Sequence, residues 1–150
     1  MYTAIKVFKF ECSHILDSSY TKPCQQIHGH SYKVEVHFIS NELNKNGMVI
    51  DFGEIKDLLK EVFDKFDHAF VVSTEEKLQK IGLDKSMKTV IMNCNPTAEN
   101  MAFYFWDQVK KILIKSGYAD ERSPSRRYQC VFDIKIRVWE TDTGCAEYSN

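Results

Sequence analysis

The segment from Cys24 to His30 places a thiol and two imidazoles within seven residues, directly before an apolar stretch. In an extended chain alternate side chains share a face, so His28 and His30 should lie roughly 7 Å apart on one side. A bend at Gly29 would bring both imidazoles within reach of one metal ion. Neutral imidazole is the commonest metal ligand, and catalytic zinc usually takes three protein ligands. The spacing therefore predicts a zinc site that needs a third ligand.

His14 is the best candidate for that third ligand among the five histidines. It ends an alternating segment in which Phe8, Phe10 and Cys12 share one strand face, so its imidazole would end an apolar stripe. A capped, hydrogen-bonded histidine at a strand end is the alternative. His37 falls on the polar face of its own segment, and we expect a solvated or interface histidine there, not a ligand.

The dipeptide Asp67-His68 offers a second kind of chemistry. A carboxylate beside an imidazole can hold it in one tautomer, and an imidazole near a thiol can stabilise the thiolate. Cys24, Asp67 and His68 would form a proton-transfer group if the fold brought them together. A capping or surface role for Asp67-His68 remains the alternative.

Glu140 has the same strand parity as Phe132, Ile134, Ile136 and Val138, so a carboxylate would complete an apolar stripe. Burying a carboxylate without a partner is very costly. A ligand with amidine-like or guanidine-like N–H donors would provide such a partner through paired hydrogen bonds. A strand-end glutamate that bends towards solvent is the alternative.

The composition fits one globular domain. A chain of 150 residues can bury about 68–70% of the surface that its unfolded form exposes. The net charge of −1 predicts no binding to nucleic acid or to an anionic membrane. The one basic cluster, residues 122–127, is expected to be a surface loop, and no stretch approaches the ~18 apolar residues of a membrane span.

The five cysteines are odd in number and form no Cys-x-x-Cys pair. This pattern supports neither a disulfide framework nor a tetrathiolate zinc site. It predicts a reducing compartment, and we expect the protein to be cytoplasmic.

Alternating polarity predicts strands over 3–12, 31–40, 131–141 and 146–148. Asn46-Gly47 predicts a turn that leads into Met48-Val49-Ile50 in a β-rich first third.

Helical spacing of apolar residues predicts two main helices, over 51–65 and from Asn95-Pro96-Thr97 to about Lys115. Asp51 would cap the first, and Pro96 would lie in the first turn of the second. A short helix over 75–82 would begin at Ser73. Antiparallel strands segregated from helices predict an α+β domain over 1–150.

The candidate residues fall in six motifs, at 10–14, 24–32, 47–52, 67–68, 96–100 and 140–141. In content and order these motifs resemble the 6-pyruvoyltetrahydropterin synthase / 6-carboxytetrahydropterin synthase family over nearly the whole chain. The resemblance implies a T-fold, a four-stranded antiparallel sheet with two main helices that assembles into a barrel. It also implies a homo-hexamer of two trimers with active sites between subunits, and zinc bound by His14, His28 and His30.

The resemblance also implies roles for the remaining candidates. Cys24 would be the general base or proton shuttle, activated by Asp67 and His68. Glu140 would anchor the pterin ring and is a candidate member of the proton relay.

Further substrate contacts are implied by the motif that contains Thr97 and Glu99, because in the family it borders the pterin pocket. The substrate that the resemblance implies carries a triphosphate group, and Lys22 is one of several basic residues that could hold this group.

Three residues separate Cys24 from His28. This spacing resembles the 6-carboxytetrahydropterin synthases of the queuosine pathway, whereas a longer spacer is typical of the pyruvoyl branch. The implied reaction converts 7,8-dihydroneopterin triphosphate to 6-carboxy-5,6,7,8-tetrahydropterin with loss of triphosphate and acetaldehyde. The alternatives are the pyruvoyl branch and a non-catalytic T-fold protein that binds zinc and a pterin or purine.

Overall fold

The computed structural model of the chain describes residues 1–83, 86–118 and 131–150. The strands are β1 (Tyr2–His14), β2 (His28–Ser40), β3 (Ala69–Val72), β4 (Thr89–Ile91), β5 (Asp133–Thr141) and β6 (Gly144–Ser149). The α-helices are α1 (Phe52–Asp64), α2 (Glu75–Ile81) and α3 (Ala98–Lys115). A short 3-10 helix, Lys22–Gln25, lies between β1 and β2.

The described strands form one sheet of six strands in the order β4-β3-β1-β2-β5-β6. The four strands predicted by alternation, β1, β2, β5 and β6, are antiparallel neighbours. The predicted four-stranded antiparallel sheet is nevertheless wrong in detail, because β3 and β4 add parallel pairs beside the end of β1. β3 has four consecutive buried residues and β4 has three residues, so neither shows the alternation that reveals a strand.

The register of β1 and β2 brings the candidate ligands together. His14 lies opposite His28, and Cys12 lies opposite His30. The next same-face pair is Phe10 with Tyr32, so the histidines continue the apolar face of the sheet at one end. This register is fixed by burial, since a slip of one residue would turn the whole apolar set to the other face.

The helices cover one face of the sheet. α1 packs on β1, and α3 packs on β5 and β6. Phe105 of α3 lies at the centre of an aromatic cluster with Phe10, Phe63 and Phe66, at ring-centroid distances of 5.8, 5.0 and 4.9 Å. The core therefore lies between the helices and the face that carries the histidines at its end.

The helix starts differ partly from the predictions. Asp51 caps α1 as expected, accepting hydrogen bonds from the backbone N–H groups of Gly53 and Glu54. The predicted cap of α2 is wrong, because Thr74 caps this helix. Pro96 is also outside the first turn of α3, since Thr97 is the cap residue.

The turn predicted at Asn46-Gly47 is present, with Gly47 at φ 75° and its N–H bonded to the carbonyl oxygen of Asn44. Residues 48–50 do not form a strand.

The sheet face opposite the helices carries a polar cluster around Glu35. Its carboxylate accepts from Trp139 Nε1 at 3.0 Å and lies 3.2 Å from His37 Nε2 and 3.2 Å from Lys33 Nζ. The His37 side chain is only 6% exposed, so it is not the solvated histidine that was one of the two expectations; the other, a histidine at an interface, stays a prediction.

The predicted basic loop at 122–127 lies outside the described residues, as does Cys130. Cys12, Cys24, Cys94 and Cys145 have free thiols. Within the described ranges, none of the helices has the length and apolar character needed to cross a bilayer.

Candidate metal centre and substrate site

His14, His28 and His30 form a compact cluster at the end of the β1–β2 pair. One nitrogen from each ring lies within 4.8 Å of the nitrogens of the other two. β2 runs through Gly29 without interruption, so the predicted bend is absent and strand pairing alone brings the rings together. A Cβ at Gly29 would lie 3.3 Å from the carbonyl oxygen of Cys12, so the strands approach closely here.

Two of the imidazoles are oriented by backbone carbonyl groups. His14 Nδ1 donates to the carbonyl oxygen of Pro96, and His28 Nδ1 donates to that of Gln26, both at 2.8 Å. A carbonyl oxygen can only accept, so both Nδ1 atoms carry the proton and both Nε2 atoms present lone pairs. This is the arrangement in which protein histidines bind metals.

The Nε2 atoms lack the partners that a buried nitrogen normally has. His14 Nε2 and His28 Nε2 lie 2.9 Å apart. In the tautomers assigned above neither of these nitrogens carries a proton, so no hydrogen bond can form between them. His30 Nε2 is fully buried and has no hydrogen-bond partner among the described residues. A cation between the three nitrogens would satisfy all of them, so the donor set fits a metal ion such as zinc.

The protonation states support this reading. Burial lowers the pKa of His14 and also that of His30. Both rings are therefore neutral near pH 7, as metal binding requires.

Glu140 lies beside the cluster at the end of β5. Its Oε1 accepts a hydrogen bond from the Tyr32 hydroxyl at 3.0 Å and lies 3.5 Å from His14 Nε2 and 3.8 Å from His30 Nε2. The side chain is 30% exposed, so the carboxylate is half-buried and still open to a ligand. The predicted position of Glu140 at the end of the apolar stripe is thus present.

Tyr32 is a residue of the site for which the sequence predicts no role. Its side chain is fully buried, and burial raises the pKa of its phenol, which therefore stays protonated and can donate to Glu140. The sequence did contain one indication of its position: Tyr32 lies on the same strand face as His28 and His30. Pro96 was missed as well, because its part in the site is played by a backbone carbonyl group.

Cys24 lies in the 3-10 helix Lys22–Gln25 and is half-buried. Its carbonyl oxygen accepts from the backbone N–H of Leu16 at 3.1 Å. It precedes His28 by four residues, so it belongs to the same end of the sheet as the cluster. Lys22 begins the same short helix and is exposed.

Asp67 and His68 contact each other at the other side of β1, with His68 Nδ1 2.9 Å from Asp67 Oδ2. Asp67 also accepts from the backbone N–H of Glu11 at 3.0 Å, and this bond, followed by that of His68, lowers the pKa of the carboxyl. The His68 side chain is 79% exposed, and it lines a surface cavity of about 390 Å³ together with His30. Within the described residues no hydrogen bond joins the pair to Cys24.

Thr97 and Glu99 lie next to Pro96 at the start of α3. The Thr97 hydroxyl accepts from the backbone N–H of Asn100 at 3.3 Å and so caps the helix. Glu99 is exposed in the first turn. Both residues are close in sequence to the carbonyl group that orients His14.

The fold and the site define an α+β sheet protein in which three histidines that could hold a metal ion lie beside a half-buried carboxylate. The family model for 6-pyruvoyl tetrahydropterin synthase matches residues 3–150. The chain belongs to this family of T-fold enzymes, which confirms the family predicted from the six motifs.

Two of the similar proteins come from bacteria. The 6-carboxy-5,6,7,8-tetrahydropterin synthase of Haemophilus influenzae is 36% identical, with 99% of both chains covered. That of Aquifex aeolicus is 32% identical, with 95% of this chain and 94% of the relative covered.

Solved structures share the fold at lower identity. The 6-pyruvoyl tetrahydropterin synthase of Caenorhabditis elegans has a TM-score of 0.67 and 23% identity, covering 99% of this chain and 95% of that one. The enzyme of Plasmodium falciparum has a TM-score of 0.66 and 20% identity, covering 99% and 98%.

Proposed function

We propose that the protein is a zinc-dependent 6-carboxy-5,6,7,8-tetrahydropterin synthase. It converts 7,8-dihydroneopterin triphosphate and water to 6-carboxytetrahydropterin, triphosphate and acetaldehyde. The names of the relatives that are more than 30% identical support this branch, as does the three-residue spacer between Cys24 and His28. Queuosine biosynthesis in the cytoplasm belongs to the same proposal.

The observation that carries the proposal is the convergence of three imidazole nitrogens beside Glu140. It provides a metal position and an acceptor for ring N–H groups within one small site. A pterin has adjacent N–H donors on its pyrimidine ring, and a carboxylate can accept two of them in parallel. Tyr32 holds one carboxylate oxygen in place for that contact.

His14, His28 and His30 would hold the zinc. When bound, zinc supplies a Lewis acid for the side-chain oxygens of the substrate. Cys24, as thiolate, would take the C–H protons from the substrate side chain, and Glu140 would fix the ring so that this side chain lies at the cluster. Thr97 and Glu99 would border the ring; Thr97 directly follows Pro96, whose carbonyl group orients His14.

The Asp67-His68 pair would act across a subunit boundary. The His68 side chain is 79% exposed, its partner Asp67 is bound to Glu11 on β1, and within the described residues no hydrogen bond joins either of them to Cys24. We therefore assign the activating imidazole to the Cys24 of a neighbouring copy. This arrangement needs an oligomer.

The sheet has open edges at β1 and at β6 that could build that oligomer. β3 pairs with β1 only over Cys12–His14, so within the described ranges residues 2–10 of β1 have no strand on that side. β6 likewise pairs only with β5 in the part of the chain that is described. Pairing of β1 with the β6 of the next copy would close a barrel, and two such trimers would give the hexamer. Sedimentation equilibrium should then give six times the chain mass of 17.5 kDa.

The activity is tested by mass spectrometry of the products that the zinc-loaded protein forms from 7,8-dihydroneopterin triphosphate, together with an assay for acetaldehyde. The Cys24→Ala variant, purified in parallel, controls for contaminating enzymes. Carboxytetrahydropterin with acetaldehyde supports the proposal. Pyruvoyltetrahydropterin without acetaldehyde would assign the chain to the other branch, and unchanged substrate would leave a binding protein.

A further inference from the structure

Residues 15–27 join β1 to β2 and carry Cys24; we call this segment the Cys24 loop. Strand pairing fixes both of its ends, since His14 lies opposite His28. Between these ends the only regular structure is the single turn Lys22–Gln25. The position of the thiol relative to the histidines therefore depends on what holds the middle of the loop.

Asp17 attaches the Cys24 loop to three other segments. Its Oδ1 accepts from Ser73 Oγ at 2.8 Å and from Lys77 Nζ at 2.5 Å. Its backbone N–H donates to Asn95 Oδ1 at 2.8 Å. Ser73 follows β3 and is only 3% exposed, Lys77 belongs to α2, and Asn95 precedes α3.

The attachment reaches Cys24 in one further step. The backbone N–H of Leu16, the neighbour of Asp17, donates to the carbonyl oxygen of Cys24 at 3.1 Å. A shift of Asp17 would therefore be transmitted directly to the turn that presents the thiol.

The same attachment links the loop to the metal centre. Asn95 binds the Asp17 backbone, and the next residue, Pro96, accepts the hydrogen bond of His14. Asn95 is itself held by Asn100 of α3, whose Nδ2 donates to the Asn95 carbonyl oxygen at 2.8 Å. One short segment before α3 thus sets both the orientation of a metal ligand and the position of the Cys24 loop.

We propose that Asp17 is a positioning residue that holds Cys24 in place relative to the three histidines. The proposal rests on the function proposed above, in which Cys24 moves the protons. Asp17 itself does not touch the substrate; it acts through Leu16 and Cys24. The hydrogen bonds of Asp17 described above all go to residues outside the Cys24 loop. A catalytic thiol needs supporting contacts of this kind to stay in position.

The test compares Asp17→Ala and Asp17→Asn with the parent enzyme. In Asp17→Ala we expect kcat to fall by about tenfold or more, since a small misplacement of a catalytic group can cost up to about a hundredfold. We expect KM to stay within about threefold and bound zinc to stay at the parent level, because the histidine contacts are intact. Asp17→Asn keeps an oxygen acceptor for Ser73, so its kcat should lie between that of the parent enzyme and that of Asp17→Ala.

A second readout does not depend on the reaction. Alkylation of Cys24 by iodoacetamide, followed by peptide mass spectrometry, should become several-fold faster in Asp17→Ala as the loop loosens. Cys12 is 6% exposed and reports global unfolding, and the exposed Cys145 is the internal reference. Glu76→Gln, which breaks an exposed ion pair with Lys80 on the same helix as Lys77, is the matched charge control and should behave like the parent.

Lys77→Met provides a variant that leaves Asp17 in the chain, and it should reproduce part of both effects. Unchanged kcat and unchanged Cys24 alkylation in Asp17→Ala would overturn the proposal. Loss of zinc or faster Cys12 alkylation in both Asp17→Ala and Lys77→Met would also overturn it, because Asp17 would then support the fold in general. If the parent does not turn over dihydroneopterin triphosphate, the proposed function fails, while the alkylation rates still test the role of Asp17.

Discussion

His14 Nδ1 donates a hydrogen bond to the carbonyl oxygen of Pro96, 82 residues later in the chain. The bond joins the end of β1 to the residue before the cap of α3, and it fixes the tautomer in which His14 Nε2 is free to bind a metal. The candidate metal centre is thus supported by the backbone at the start of a helix as well as by strand pairing.

Replacing His28 with alanine should remove the metal. The variant loses one of three imidazole ligands, and the remaining two cannot retain zinc through purification. Zinc per chain, measured by elemental analysis after dialysis, should fall from about one to below a quarter. His68→Ala is the control, because this exposed histidine lies outside the cluster and should leave the zinc content at the parent value.

Replacing Cys24 with alanine should abolish turnover while zinc content and melting temperature stay unchanged. Loss of a group that transfers protons typically lowers the rate by about 10²–10⁴-fold. The measurement is product formation at saturating substrate. Cys145→Ala, which removes an exposed thiol on β6, should retain parental activity; full activity in Cys24→Ala would contradict the assigned role.

Replacing Tyr32 with phenylalanine should weaken substrate binding through Glu140. The hydroxyl donates to the carboxylate, and a hydrogen bond to a charged group contributes about 1.5–3 kcal/mol, so KM should rise by about tenfold or more. Glu140→Gln should be worse, because it removes the acceptor itself. Steady-state kinetics with the same zinc loading would separate these effects, and a KM for Tyr32→Phe equal to that of the parent would show that the contact is not used.

The Asp17–Lys77 pair predicts a pH dependence of stability. Partial burial raises the pKa of Asp17, but hydrogen bonds from Lys77 and Ser73 outweigh it, so the pKa in the folded state is lowered. A carboxyl group whose pKa is lowered by folding stabilises the fold at pH values above its unfolded pKa of about 3.9. This stabilisation is lost as the pH falls through the pKa of the folded state.

Urea unfolding of the parent and of Asp17→Asn gives the measurement for this pair. At pH 7 the difference in unfolding free energy should be about 0.5–1 kcal/mol, a modest value because the Asp17 side chain is 42% exposed. It should shrink between about pH 5 and pH 3. If the difference in unfolding free energy between the parent and Asp17→Asn instead grows as the pH falls, the assigned role of the Asp17 carboxylate is contradicted.

Phe105 should be among the most costly residues to truncate. It is fully buried and contacts the rings of Phe10, Phe63, Phe66 and Tyr104. Phe105→Ala should lower the free energy of unfolding by about 3–5 kcal/mol. Phe103→Ala, on the same helix but 49% exposed, is the matched control and should cost much less.

Local patterns predicted the parts of the fold that are half-buried. β1, β2 and β5 alternate because one face meets the helices and the other does not, and α1 and α3 show a helical stripe for the same reason. β3 is buried on both faces, and its partners in β1 lie more than fifty residues earlier. Nothing local marks such a strand, so the parallel edge of the sheet could not be predicted.

The sequence predicted the side chains of the candidate site but not the backbone groups that orient them. His14, His28 and His30 lie on one face by strand parity, and Glu140 follows by the same rule. The carbonyl groups of Pro96 and Gln26 that orient two of the rings carry no residue-type information, since every residue has one. The attachment of Asp17 to Ser73 was likewise hidden, because Ser73 resembles a helix cap in the sequence and Thr74 takes that position.

If copies of the chain assemble through the open edges of β1 and β6, as proposed above, the stability of the chain depends on its concentration. A neighbouring copy that adds a strand to either edge binds the folded chain and has nothing to pair with in the unfolded one. By mass action, the midpoint of unfolding therefore rises with protein concentration, as it would with a ligand. Dilution alone should then weaken the fold that holds the three histidines together.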